Sequence, residues 1–89
     1  MKMEDFELVR KDINGSHKDY YFKVSGESQR QLTEKYYKYG MIEVTRCIYS
    51  KDEDIIGIQR QYQFNYDVII IKNKKLKNIL ISLIDLFDI

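Results

Sequence analysis

The chain has no proline, no tryptophan and no alanine, and only one cysteine and one histidine among its 89 residues. The lone Cys47 excludes an internal disulfide and fits a reducing compartment. Only four glycines are present and they are scattered, so the chain carries no phosphate loop or dinucleotide-binding turn. No stretch is rich in Pro, Gly or Ser and no repeat recurs, so no linker divides it and residues 1–89 read as a single domain. The formal net charge is only +1. A dedicated duplex-DNA binder draws on many Lys and Arg contacts to phosphate, and so weak a field argues against one. The opening MKMEDFELVRK lacks the apolar core of a secretory signal. The apolar run NILISLIDLFDI is too short to span a bilayer and is interrupted by Asp85 and Asp88. These features lead us to expect a soluble, cytoplasmic protein with no membrane partner.

What is present is Ile, Lys and Tyr in abundance. Hydrophobic residues make up 44%, aromatics 13% and charged residues 33%, enough for a globular core. A chain this short buries only about 60–65% of the surface its unfolded form exposes, so that core is thin. Enrichment in residues with AT-rich codons points to an AT-rich genome, such as a low-GC bacterium, a phage, a mobile element or a virus. That bears on origin and not on mechanism.

Read along the chain, FELVRKDI-NG-SHKDYYFKV predicts a hairpin. Asn14-Gly15 is the preferred pair for a two-residue type I′ turn. Pairing Ile13 with Ser16 then sets Val9 opposite Tyr20, Leu8 opposite Tyr21, Arg10 opposite Asp19 and Asp12 opposite His17. SGESQRQLTEKYYKYG predicts a helix over about 28–39, with Ser28 and Gln31 as a capping box, Glu34 and Lys38 as an i,i+4 pair and Gly40 at C′. Leu32, Tyr36 and Tyr39 share one face of it. MIEVTRCIYS reads as a strand and KDED as a polar turn. An odd-length loop there pairs Ile48 with Ile56 and Ile42 with Tyr62, which gathers Ile42, Val44 and Ile48 on the face of Ile56, Ile58 and Tyr62. An even loop sets Ile48 against Gly57. The odd register is preferred because it groups the apolar residues.

Residues 55–72, IIGIQRQYQFNYDVIIIK, alternate almost without a break. Ile56, Ile58, Arg60, Tyr62, Phe64, Tyr66, Val68 and Ile70 fall on one side; Gly57, Gln59, Gln61, Gln63, Asn65 and Asp67 fall on the other. One strand of that length is far longer than usual, so a reversal around Asn65 is expected. Residues 74–88 carry Leu76, Ile79, Leu80, Leu83 and Phe87 at helical spacing, which is preferred to a strand reading of NILISLI. That helix is apolar over most of its circumference, with lysines at its start and aspartates at its end, against the macrodipole. Its cover comes either from a curved sheet within the chain or from a second copy, giving a homodimer through the C-terminal helix. The fold class expected is α+β, in the order β-β-α-β-β-β-α, with an antiparallel sheet packed on that helix.

Each candidate for chemistry meets a simpler reading. A Cys47–His17 dyad needs the two within hydrogen-bond reach, yet one sits at a hairpin tip and the other mid-strand. His17 beside Asp12 fits an exposed turn contact. Asp52, Glu53 and Asp54 lack the spaced ligands of a calcium loop, so a solvated turn is expected, with no metal and no cofactor. No carboxylate pair is placed for acid–base work, and we expect no enzyme. The odd register places Arg46 beside Ile58 and Arg60 opposite Val44, both on the apolar side. Either they snorkel, with a carboxylate such as Glu34 as partner, or their guanidiniums are held for something external, an acidic side chain of a partner or an anion. The uncharged amide row Gln59, Gln61 and Gln63, with nearby tyrosines, has the composition of an interface, and an exposed edge would admit an added strand.

The function expected is therefore a non-enzymatic interaction protein, of the inhibitor, immunity-protein or phage-modulator kind. It would bind a protein partner through Tyr36, Tyr37, Arg60, Gln61 and Tyr62. The alternative is a single-stranded nucleic-acid binder stacking bases on Tyr36 and Tyr39 and holding phosphate with Lys35 and Lys38.

Overall fold

A computed structural model describes residues 1–37, 43–61 and 64–87. After a 3₁₀ turn at Met3–Asp5 come β1 (Phe6–Asn14), β2 (His17–Val24), α1 (Gly26–Tyr36), β3 (Glu43–Ser50), β4 (Ile55–Gln61), β5 (Tyr66–Ile71) and α2 (Lys74–Phe87). The five strands form one antiparallel sheet in the order β1-β2-β3-β4-β5. This is the α+β order read from the sequence. Among the described residues, no helix is long and apolar enough to cross a membrane.

The core lies on one face of the sheet. Phe6, Tyr20, Phe22, Val24, Val44, Cys47, Tyr49, Ile56, Ile58 and Ile71 meet Leu32 of α1 and Leu76, Leu80, Leu83 and Ile84 of α2 in a single buried cluster. Both helices thus cover the same face and leave the other open. The α2 stripe differs from the expected one by a small rotation. Ile84 is buried, Ile79 is half-buried, and Phe87 is 64% exposed because it overhangs the β1 edge. The sheet covers most of the apolar residues of this helix within one chain, and of these Leu86 and Phe87 stay exposed.

The β1–β2 turn falls one residue later than the expected Asn14-Gly15 pair. Asn14 pairs with His17, so Gly15 and Ser16 form the loop. Gly15 has φ +64 and Ser16 is not in the left-handed region, the pattern of a type II′ turn with glycine first. The shift changes the partners: Arg10 faces Tyr21, Lys11 faces Tyr20 and Asp12 faces Asp19. Arg10 therefore reaches along its own strand to Asp12 instead of across to Asp19, with its guanidinium 4.6 Å from the Tyr21 ring centroid. A bulge at Val9 then sets Leu8 opposite Phe22, not Tyr21, and Phe6 opposite Val24.

The β3–β4 connection also departs from expectation. Ser50 pairs with Ile55 across a four-residue loop, so Tyr49 faces Ile56 and Ile48 faces Gly57. The register shifts at Thr45, after which Val44 does oppose Arg60. One extra residue in a strand exchanges its faces. Val44 points inward before the bulge and Cys47 and Tyr49 after it, while Ile48 is half-buried on the open face. Arg46 consequently lies opposite Gln59, not Ile58, and is exposed. Ile42 and Tyr62, the other expected pair, lie outside the described residues.

The α1 start is also earlier than expected. The helix begins at Gly26, and Ser28 is buried inside its first turn, where it cannot act as N-cap. The capping group comes from elsewhere. Asp5 Oδ2 accepts from the Ser28 backbone N–H at 3.1 Å and from its hydroxyl at 2.7 Å. These two bonds hold the Asp5 carboxyl below its ordinary pKa. Lys38 and Gly40, assigned to the end of this helix from sequence, lie outside the described residues.

Candidate interaction surface

Residues 55–72 do reverse, and the reversal decides which side chains face outward. Gln61 pairs with Tyr66, Gln59 with Val68, Gly57 with Ile70 and Ile58 with Ile69. An odd sum of paired numbers exchanges parity across the hairpin. Tyr66, Val68 and Ile70, read from sequence as continuing the Ile56–Ile58 side, therefore stand on the open face. Ile69 and Ile71 take the core side. The run Val68-Ile69-Ile70-Ile71 has no alternation of its own, so the sequence pattern alone could not reveal the exchange.

The open face is graded. Toward β1 and β2 it carries Asp12, Asp19, Arg10 and Tyr21. Lys23 and Arg46, cross-strand neighbours, occupy its middle. Toward β5 it becomes apolar: Ile70 is 67% exposed, Tyr66 66% and Val68 43%, with Phe64 of the preceding bend at 87%. Gly57 lies beneath this strip. A Cβ there would come within 2.7 Å of Val68 Cγ1, so the glycine lets the β5 side chains lie against the sheet.

β5 is also an edge. Among the described residues no strand pairs with its outer side. The two edges of the sheet differ sharply. β1 is interrupted by the Val9 bulge and carries Glu7, Arg10, Lys11 and Asp12, devices that discourage edge-to-edge pairing. β5 has neither bulge nor lysine within its span, and its single charge, Asp67, is held from inside.

That hold is made by Arg60. Its Nε donates to Asp67 Oδ1 at 2.5 Å and its Nη2 donates to Oδ2, a bidentate pair. The guanidinium also lies 4.5 Å from the Tyr37 ring centroid. Arg60 thus occupies the core side at one end of the sheet, as the alternation implied, with Asp67 rather than Glu34 as its carboxylate. Of the expected interface residues, Tyr37 and Arg60 come together in this stack and Tyr36 packs beside the core. Gln61 points to the open face opposite Tyr66, and Tyr62 lies outside the described residues. Lys35 sits 5.5 Å from the Tyr36 ring centroid; Lys38 and Tyr39, the rest of the nucleic-acid set, are outside the described residues. Tyr66, Val68 and Ile70 were missed as surface residues.

The other candidates are engaged in structure. Cys47 is fully buried on the core face, where loss of solvent pushes its thiol up to about 12. His17 stands at the far hairpin tip on the open face, so the two do not form a dyad. Its Nδ1 meets Asp52 at 2.7 Å and its Nε2 meets Asp19 at 3.0 Å, in place of the Asp12 contact expected. These bonds, Asp52 first, raise the imidazole pKa. Carboxylates on opposite ring nitrogens suit a doubly protonated imidazole, whereas a metal ion would take one nitrogen only. Asp52 also accepts from the Lys18 backbone N–H at 3.2 Å. In the same turn Asp54, at φ 56, accepts from the Tyr49 hydroxyl and from Lys77 Nζ, both at 2.6 Å. Lys77 is one of the lysines that oppose the α2 macrodipole, and this ion pair gives it a role.

No protein-family model, curated protein or solved structure matches this chain.

Proposed function

We propose that the chain is a non-enzymatic interaction module that binds a protein partner along the β5 edge and the adjoining apolar strip of the open face. The observation that carries this reading is the contrast between the two sheet edges. β1 is bulged and charged, while β5 is regular and presents Tyr66, Val68 and Ile70 to solvent. An unblocked edge offers backbone donors and acceptors to an incoming strand, and alternate side chains supply selectivity. Small inhibitors, immunity-type proteins and phage or mobile-element modulators act by such binding, and the burial of the one cysteine away from the one histidine is in keeping with that class. The Tyr37–Arg60–Asp67 stack supports the end of the edge strand from within and is not itself the contact.

The test compares proteins retained from a cell extract by the native chain and by Ile70→Lys. Ile70 is exposed, so the substitution leaves the core intact and places a charge on the strip. Loss of the retained proteins is expected. Identical retention by both chains would remove this reading.

A further inference from the structure

α2 ends in apolar residues that the sheet leaves in water, and one of them borders a cleft. Phe87 and Met3, both exposed, form its lips. Leu8 makes a wall, and the buried Phe6 and Leu83 make the floor. The space between them is about 520 Å³, within the range of sites for small molecules. An exposed apolar patch rimmed by polar groups marks a binding site. The cleft lies between the 3₁₀ turn, the start of β1 and the last turns of α2, at the opposite edge of the sheet from β5. The partner surface at β5 is left free.

Charge says what the cleft takes. Both polar residues that line it, Glu4 and Glu7, are exposed carboxylates. Neither is in an ion pair among the described residues. Lys23 stands across the β1–β2 pair from Glu7 and makes no ion pair with it. The end of α2 adds charge of the same sign. Its last turn holds no basic residue to offset the partial negative charge of its terminal carbonyls, and Asp85 stands exposed in that turn.

We infer that this cleft binds an amphipathic organic cation, a short hydrocarbon group carrying a protonated amine. The hydrocarbon lies against Phe6, Leu83 and Phe87, where it leaves water. The ammonium sits at the rim between Glu4 and Glu7. An amphipathic anion of the same length meets repulsion from the same two carboxylates, so the rim selects by sign while the walls supply the grip.

Methyl NMR signals of Met3 and Leu8 can follow titration of the full chain, to about 5 mM, with octylammonium, octanol and octanoate. These probes share one hydrocarbon chain and differ in charge. Octylammonium should bind about fivefold more tightly than octanol, and octanoate least tightly. Added salt should weaken the binding of octylammonium and leave that of octanol unchanged. Combining Glu4→Gln with Glu7→Gln should bring octylammonium down to the level of octanol. Phe87→Ala should weaken both. All three positions are exposed, so circular dichroism should show the native fold in these variants. Equal binding of octylammonium and octanol by the native chain, or binding unmoved by Phe87→Ala, overturns the assignment. So does a lack of binding at about 5 mM. A doubled mass in light scattering that Phe87→Ala restores to the single-chain value would place a second copy in the cleft and overturn it too.

Discussion

Arg60 and Arg46 show how far a single position can be read from sequence. Both fall on the apolar side of a simple alternation, and only Arg60 stays there. It is tolerated because its guanidinium finds Asp67 across the β4–β5 pair and the Tyr37 ring beside it. A charged group this enclosed needs a hydrogen-bonding partner, and here the partner lies on the neighbouring strand. Arg46 is turned out by the residue before it, an effect that a pattern of alternation cannot contain. Removing Arg60 should therefore be felt by the fold. Arg60→Ala is expected to lower stability by about 1–3 kcal/mol in urea titration, because Asp67 loses a charge-assisted pair. An unchanged urea midpoint would mean that the guanidinium does not hold this end of the sheet.

At the scale of elements, type and order were legible and their ends were not. Helical spacing marked α2, and Asn14-Gly15 marked a turn to within one residue. The break near Asn65 was legible because a single strand over 55–72 would have been too long. The α1 start was misplaced because its cap is not local. Ser28 has the right chemistry for an N-cap, but Asp5, distant in sequence, takes that role and binds Ser28 itself. Gly26 makes room for this arrangement. Its φ is +62, and a Cβ there would meet Asp5 Oδ1 at 2.7 Å. Gly26→Ala should destabilise the protein by about 1–2 kcal/mol from backbone handedness alone, with the Asp5 clash adding to it. Equal thermal midpoints for Gly26→Ala and the native chain would show that the Asp5 contact is dispensable. The apolar strip of the candidate surface was hidden for a related reason: parity across the β4–β5 hairpin depends on loop length, which the isoleucine run does not reveal.

For the molecule as a whole, the two ends of the strand axis are secured differently. At the end bearing the β1–β2 and β3–β4 turns, His17 bridges Asp19 of its own strand and Asp52 of the other turn. Both contacts favour the charged imidazole and raise its pKa above the ordinary value of 6.5. A raised histidine adds stability in full below the unfolded pKa, and this is lost as pH rises through the folded pKa. The gap in thermal midpoint between the native chain and His17→Gln should therefore be widest below the ordinary pKa of 6.5 and shrink as pH rises above it. A gap that widens with pH would show that neutral His17 is the form the fold prefers. The arrangement of the strands also bears on how the chain could change in length. Thr45 and Val9 each stand in a strand without an opposite number. Deleting Thr45 would bring Val44 and Arg46 into sequence while leaving one inward, the other outward, and Cys47 inward again. Elsewhere within a strand, losing one residue would turn the rest of that strand inside out. Natural variants one residue shorter should thus have their gaps at these two positions, where the sheet already carries a residue to spare.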